Sequence, residues 1–199
     1  MVVFIDGENF RQNLAQILFE AGEITDKNEF FRFNIPGLLT ELLGHDNLTI
    51  RYYTSEIKMP KGYIPSDNIL KQVQRIKERM RKWVAMLRTQ DINYIKAGNL
   101  KVKEGKNCWR CGTANEILQE KGVDVRMALD IYEESLLDNC TKIAVISSDT
   151  DICPAYHKAK KQGVELKYIC FANHVNLGAA AACDETITIT QQMATKYLI

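Results

Sequence analysis

No stretch of this 199-residue chain is long and apolar enough to cross a membrane as a helix, which takes roughly 18 apolar residues in a row. The apolar start, residues 1–5, stops at Asp6 and has no basic lead-in, so it does not read as a secretion signal. Cysteine is scarce. Without a secretion signal, the six cysteines read as reduced thiols or metal ligands rather than a disulfide framework. The expected compartment is the cytoplasm. An excess of one charge is also lacking: 26 Lys and Arg against 25 Asp and Glu leave +1, so partners must be read from local patches. There are no internal repeats and no low-complexity segments. A hydrophobic fraction of 46% and a charged fraction of 26% suit one domain spanning residues 1–199 with a core of normal size.

Residues 2–5 form a β-branched run suited to a strand buried on both faces, and it ends in the turn signal Asp6-Gly7. Residues 8–20 then read as a helix and 49–55 as a second strand. Pro65-Ser66-Asp67 is a helix start. After it Ile69, Val73, Ile76, Met80, Trp83, Val84 and Leu87 recur at helical spacing. Residues 92–95 predict a third strand, followed by an irregular insertion at about 97–112 with Gly98, Gly105 and Gly112. The remainder predicts a helix over 123–137, a strand over 142–148, a helix over 152–162, strands over 164–171 and near 186–190, and a last helix. Alternating strands and helices imply crossover connections. The expected fold is a three-layer α/β/α sandwich around a mostly parallel sheet.

In such a sheet, ligands bind at the carboxyl ends of the strands. Two predicted strands end in acid there, the first at Asp6 and that over 142–148 at Asp149, with Asp151 following; Asp124 opens a predicted helix. Carboxylates gathered at one edge repel one another, and a cation relieves the repulsion. Oxygen-only ligands suit Mg²⁺ or Mn²⁺, the equipment for phosphodiester hydrolysis.

These residues resemble a family. Val3-Phe4-Ile5-Asp6-Gly7-Glu8-Asn9, the segment Lys121-Gly122-Val123-Asp124-Val125-Arg126-Met127-Ala128-Leu129-Asp130, and Ile146-Ser147-Ser148-Asp149-Thr150-Asp151 look like the three motifs of the NYN domain, in the same order. NYN domains of this kind form the LabA-like branch of the PIN-like ribonuclease superfamily. Gly163 fits the glycine before the next strand. The resemblance implies a PIN-like fold and metal-dependent cleavage of RNA. It implies Asp6, Asp124, Asp149 and Asp151 as metal ligands, and Asn9 as the group that orients substrate or the attacking water. Ser147 matches a small polar residue beside the site. Glu8 reads as a first-turn acid rather than a ligand. Asp130, about 240° around the helix from Asp124, is expected behind the site or in solvent.

Lys71, Arg75, Lys77, Arg79, Arg81 and Lys82 crowd one segment against a single acid, Glu78. Such a face is usually just solvated. Beside an acidic metal site, Lys71, Arg75, Arg79 and Lys82 are candidates to hold the phosphates of single-stranded RNA without reading its sequence. Cys108-Trp109-Arg110-Cys111-Gly112 is a lone CxxC knuckle. It reads as an incidental pair first, then as half of a Zn²⁺ site completed by distant cysteines or by a second copy in a homodimer, or as a redox pair. His45, His157 and His174 are isolated. Two rivals to a metal-dependent ribonuclease remain: a silent RNA-binding or scaffold module on the same fold, and an aspartate-nucleophile phosphatase. The phosphatase usually wants a second Asp where this chain has Glu8.

Overall fold

The computed structural model describes residues 1–28, 32–59, 64–105, 109–110 and 116–199. Strand β1 (Val2–Asp6) lies in the middle of a seven-stranded sheet. After it come helices α1 (Gly7–Glu20) and α2 (Ile35–Leu43), strand β2 (Thr49–Lys58), helix α3 (Asp67–Thr89) and strands β3 (Asn93–Glu104) and β4 (Glu116–Lys121). The second half runs α4 (Val123–Ser135), β5 (Lys142–Ile146), α5 (Cys153–Lys161), β6 (Glu165–Phe171), α6 (Leu177–Ala182), β7 (Glu185–Ile189) and α7 (Gln191–Lys196). Strand order is β4-β3-β2-β1-β5-β6-β7, and every pairing is parallel except β3 with β4. Among the described residues, no helix is long and apolar enough to cross a membrane.

The order has a physical consequence. The chain builds outward from β1 through β2 and β3, then returns to add β5 on the other side of β1. The carboxyl ends of β1 and β5 therefore flank the point where the winding reverses, which is where open parallel sheets leave a crevice. Val3 and Ile5 face one layer, packed with Phe10, Leu14, Leu38, Trp83 and Leu87. Phe4 and Tyr53 face the other, packed with Val123, Met127, Ile131 and Tyr156. By alternation Asp6 points to the same side as Phe4.

The insertion expected at 97–112 is partly regular. β3 continues to Glu104 and pairs with β4, a strand the sequence did not signal because its residues Glu-Ile-Leu-Gln-Glu-Lys are mostly polar. Helices α2 and α6 were also missed, and both are short. β4 passes into α4 through Gly122, whose φ of +94° suits glycine and turns the chain directly into the helix bearing Asp124.

Beneath α4, the Tyr53 hydroxyl donates to Asp130 Oδ2 at 2.8 Å, and Arg126 Nε donates to Asp130 Oδ1 at 2.7 Å. Asp130 is therefore buried and structural, which corrects the solvated reading. Tyr53→Phe is expected to lower stability by about 1–2 kcal/mol in urea unfolding and to leave any cleavage rate unchanged. A large change in rate would place Asp130 in the active machinery.

Candidate active site

Asp6 ends β1 and caps α1. One carboxylate oxygen accepts from Asn9 N at 3.2 Å, and the other accepts from Ser147 Oγ at 3.1 Å. Ser147 is buried just past the end of β5, and its Oγ also accepts from Asp149 N at 3.1 Å. One hydroxyl thus sets the spacing between two acids from different strands. Asp149 in turn caps the single 3₁₀ turn at Thr150–Ile152, accepting from Asp151 N at 2.8 Å. The Asn9 side chain donates to Ser148 Oγ and accepts from Asn13 Nδ2 at 3.0 Å. Asn176 Nδ2 holds the Ser148 carbonyl at 2.7 Å from the far side.

The electrostatics are those of crowded acids. Burial first, then the charges of Asp124 and Glu120, raise the Asp6 carboxyl from its ordinary 3.8 to about 7, against the lowering effect of its hydrogen bonds. Asp124 is raised by desolvation and then by Asp149 and Asp151. Glu120 on β4, which receives the Ser55 hydroxyl at 3.2 Å, is raised by desolvation and by Glu8 and Asp124. The donor set is all carboxylate, which suits a hard divalent ion. Among the described residues, no three His, Cys, Asp or Glu side chains stand within ligating reach of one common point. Mg²⁺ usually keeps several waters and binds through one or two carboxylates.

The NYN domain profile matches residues 1–190. The chain belongs to the NYN domain family. NYN domains are in general PIN-like and nuclease-like, act on RNA, and typically use divalent metals. No curated protein matches the chain. A crystal structure of a protein of unknown function from Vibrio parahaemolyticus is similar at 14% identity and a TM-score of 0.50, covering 94% of this chain and 91% of that one. That likeness concerns the fold.

Against the NYN motifs, the structure brings Asp6, Asp124, Asp149 and Asp151 to one end of the sheet, Asp151 the most exposed of them. It adds Glu120, which sequence reasoning missed: nothing in a polar edge strand marks one acid over its neighbours. Asn9, expected to orient substrate, has a protein partner at each end of its amide and braces α1 against Ser148. Glu8 is engaged by Arg11 Nη2 at 2.8 Å and Gln12 Nε2 at 2.9 Å, and it lies 3.6 Å from Arg79 Nη2. Burial raises its pKa, but Arg11 and these other partners outweigh that and hold it below its ordinary value.

Arg79 is the correction among the basic candidates. Its guanidinium turns inward to Glu8 and donates to Asn28 Oδ1 at 2.9 Å, so it is not part of an open phosphate-binding row. Lys71, Arg75 and Lys82 are exposed on one flank of α3. Lys77, Arg81 and Arg88 lie on another, about 120° away. Cys108 and Cys111 lie outside the described residues. Cys140, Cys153, Cys170 and Cys183 are free and half-buried or buried, as small apolar residues are.

Proposed function

We propose that the chain is a metal-dependent ribonuclease that hydrolyses phosphodiester bonds in single-stranded RNA. The observation that carries this reading is the gathering of Asp6, Asp124 and Asp149 at the carboxyl ends of β1 and β5 and the start of α4, with Asp6 driven to about 7 by burial and like charge. Charges left so poorly compensated favour a cation. When bound, Mg²⁺ or Mn²⁺ supplies a Lewis acid that makes water a better nucleophile and steadies the leaving oxygen. One or two carboxylates from the set Asp6, Asp124, Asp149 and Asp151 would hold it, with waters completing its shell; Ser147 keeps Asp6 and Asp149 in register; Asn9 fixes the Ser148 loop against α1. The exposed bases of α3 draw the RNA backbone toward this end of the molecule.

Asp149→Asn is expected to stay folded by circular dichroism and to lose Mn²⁺-dependent cleavage of single-stranded RNA roughly 100-fold, a loss of nearly 3 kcal/mol in transition-state stabilisation. Undiminished cleavage by that variant, or by the native protein in excess EDTA, overturns the reading. RNA binding without cleavage favours the silent binding module. The phosphatase reading is weakened by Glu8, whose carboxylate is held by Arg11 rather than free to act.

For Cys108 and Cys111 we propose a test alongside. About one zinc per two chains, with both metal and dimer lost in Cys111→Ser, supports a Cys₄ site shared in a homodimer. Zinc-free protein purified without chelator returns the pair to an incidental one.

A further inference from the structure

The long helix α3 was expected to bury Ile76, Met80 and Val84 together with Val73, Trp83 and Leu87, yet those three stay only partly covered. Met80 and Val84 border a hollow of about 540 Å³ between α3 and strands β2 and β3. Its apolar side is Met80, Val84 and the half-buried ring of Tyr94, and its basic side is Lys77, Arg81 and Arg88. Lys96, also on the wall, is neutralised by Glu56 at 3.0 Å. Among the described residues, Lys77, Arg81 and Arg88 form no ion pair, so three uncompensated cations line about 16 Å of helix. The hollow runs toward the acidic end: Met80, Val84 and Tyr94 also line a slot of about 20 Å³ that reaches Gly7, the residue after Asp6.

An aromatic face with flexible apolar neighbours takes a planar ring, and a row of unpaired cations takes phosphates. The volume lies within the range of small-molecule sites. We propose that this hollow is a nucleotide subsite for the substrate strand: one base stacks on Tyr94 over Met80 and Val84, and the adjoining phosphates meet Lys77, Arg81 and Arg88. The inference rests on the reading of the chain as an RNA nuclease and names where the strand lies before it reaches the acids. It also assigns the specific phosphate contacts to this flank of α3 rather than to Lys71, Arg75 and Lys82.

The test is binding of a fluorescein-labelled 12-nucleotide oligouridylate in EDTA, where cleavage is suppressed, followed across salt. Replacing Lys77, Arg81 and Arg88 together by Ala is expected to reduce the log–log salt slope by about 2, near 0.7 for each lost contact. The triple Ala variant at Lys71, Arg75 and Lys82 is expected to change it by less than half as much. Tyr94→Leu keeps apolar bulk and is expected to weaken binding about tenfold, whereas Tyr94→Phe keeps the ring and binds like the native chain. Native slope and affinity in the Lys77, Arg81, Arg88 variant, or equal binding by Tyr94→Leu and Tyr94→Phe, overturn the subsite and leave the nuclease reading standing. A native chain that binds through the hollow yet cuts nothing with Mn²⁺ overturns the nuclease reading and keeps the subsite. A native chain that does not bind the oligonucleotide overturns the subsite.

Discussion

Asp6→Asn is expected to make the metal-free protein more stable at neutral pH while abolishing RNA cleavage, by roughly 1,000-fold or more. Asn caps a helix as well as Asp does, so the Asn9 N–H keeps its acceptor. What the substitution removes is a buried charge and the acceptor of the Ser147 hydroxyl, which can turn to accept from the new amide. The folded-state pKa of about 7 lies above the ordinary 3.8, so the fold binds a proton that the unfolded chain releases. The stability from that proton is fully present below about pH 4 and is lost as pH rises through about 7. The loss, complete above about pH 7, is on the order of 4 kcal/mol. Thermal midpoints of the native chain in EDTA should therefore fall between pH 4 and 8, and Asp6→Asn should lack that part of the fall. Adding Mn²⁺ at pH 8 should raise the midpoint of the native chain far more than that of the variant, because the cation favours the ionised carboxylate. Parallel pH profiles for the two proteins would show that Asp6 is ordinarily ionised in the fold.

Among the described residues, Gly7→Ala is expected to be a severely damaging addition of a single methyl group. A Cβ at this position would sit 2.2 Å from Tyr52 Cε1 and 2.4 Å from the Tyr53 carbonyl oxygen. The carbonyl belongs to β2, which is held in register with β1 on one side and β3 on the other, so it has no room to retreat. The Tyr52 ring is no freer: it is buried, packs edge-on to Phe10, and donates its hydroxyl to Gly7 O at 2.5 Å. Overpacking a core costs typically 1–3 kcal/mol, and a clash with sheet backbone should exceed that. The expected result is aggregation on expression or a urea midpoint too low to sustain the fold at 37 °C. Native stability in Gly7→Ala would mean that α1 starts farther from β2.

Much of this was legible in the chain because it is local. The β-branched run before Asp6, the capping Ser66 before a 3.6-residue apolar stripe, and the apolar run before Ser147 each report their own backbone through periodicity and caps. Boundaries held to within a few residues at β1, α1, α3 and β5. β4 escaped because an antiparallel edge strand with few apolar residues has no local signature, and its existence depends on a partner, β3. Arg79 escaped for the same reason: helical spacing says which way a side chain leaves the axis, not that Glu8 waits there from another helix.

The sequence by itself determined the layered α/β class, most of its elements in their order and its NYN motifs, since these rest on residue types and short periods. Only the tertiary structure decided that β1 and β5 lie side by side, so that Ser147 bridges Asp6 and Asp149; that the Asn9 amide pairs with Ser148 and Asn13; and that one flank of the α3 bases lines a hollow. Strand order and side-chain pairing are contacts between distant residues, as between Ser147 and Asp6, 141 positions apart. They are fixed by which packing buries both faces of the sheet, a property of the whole chain that no window along it contains.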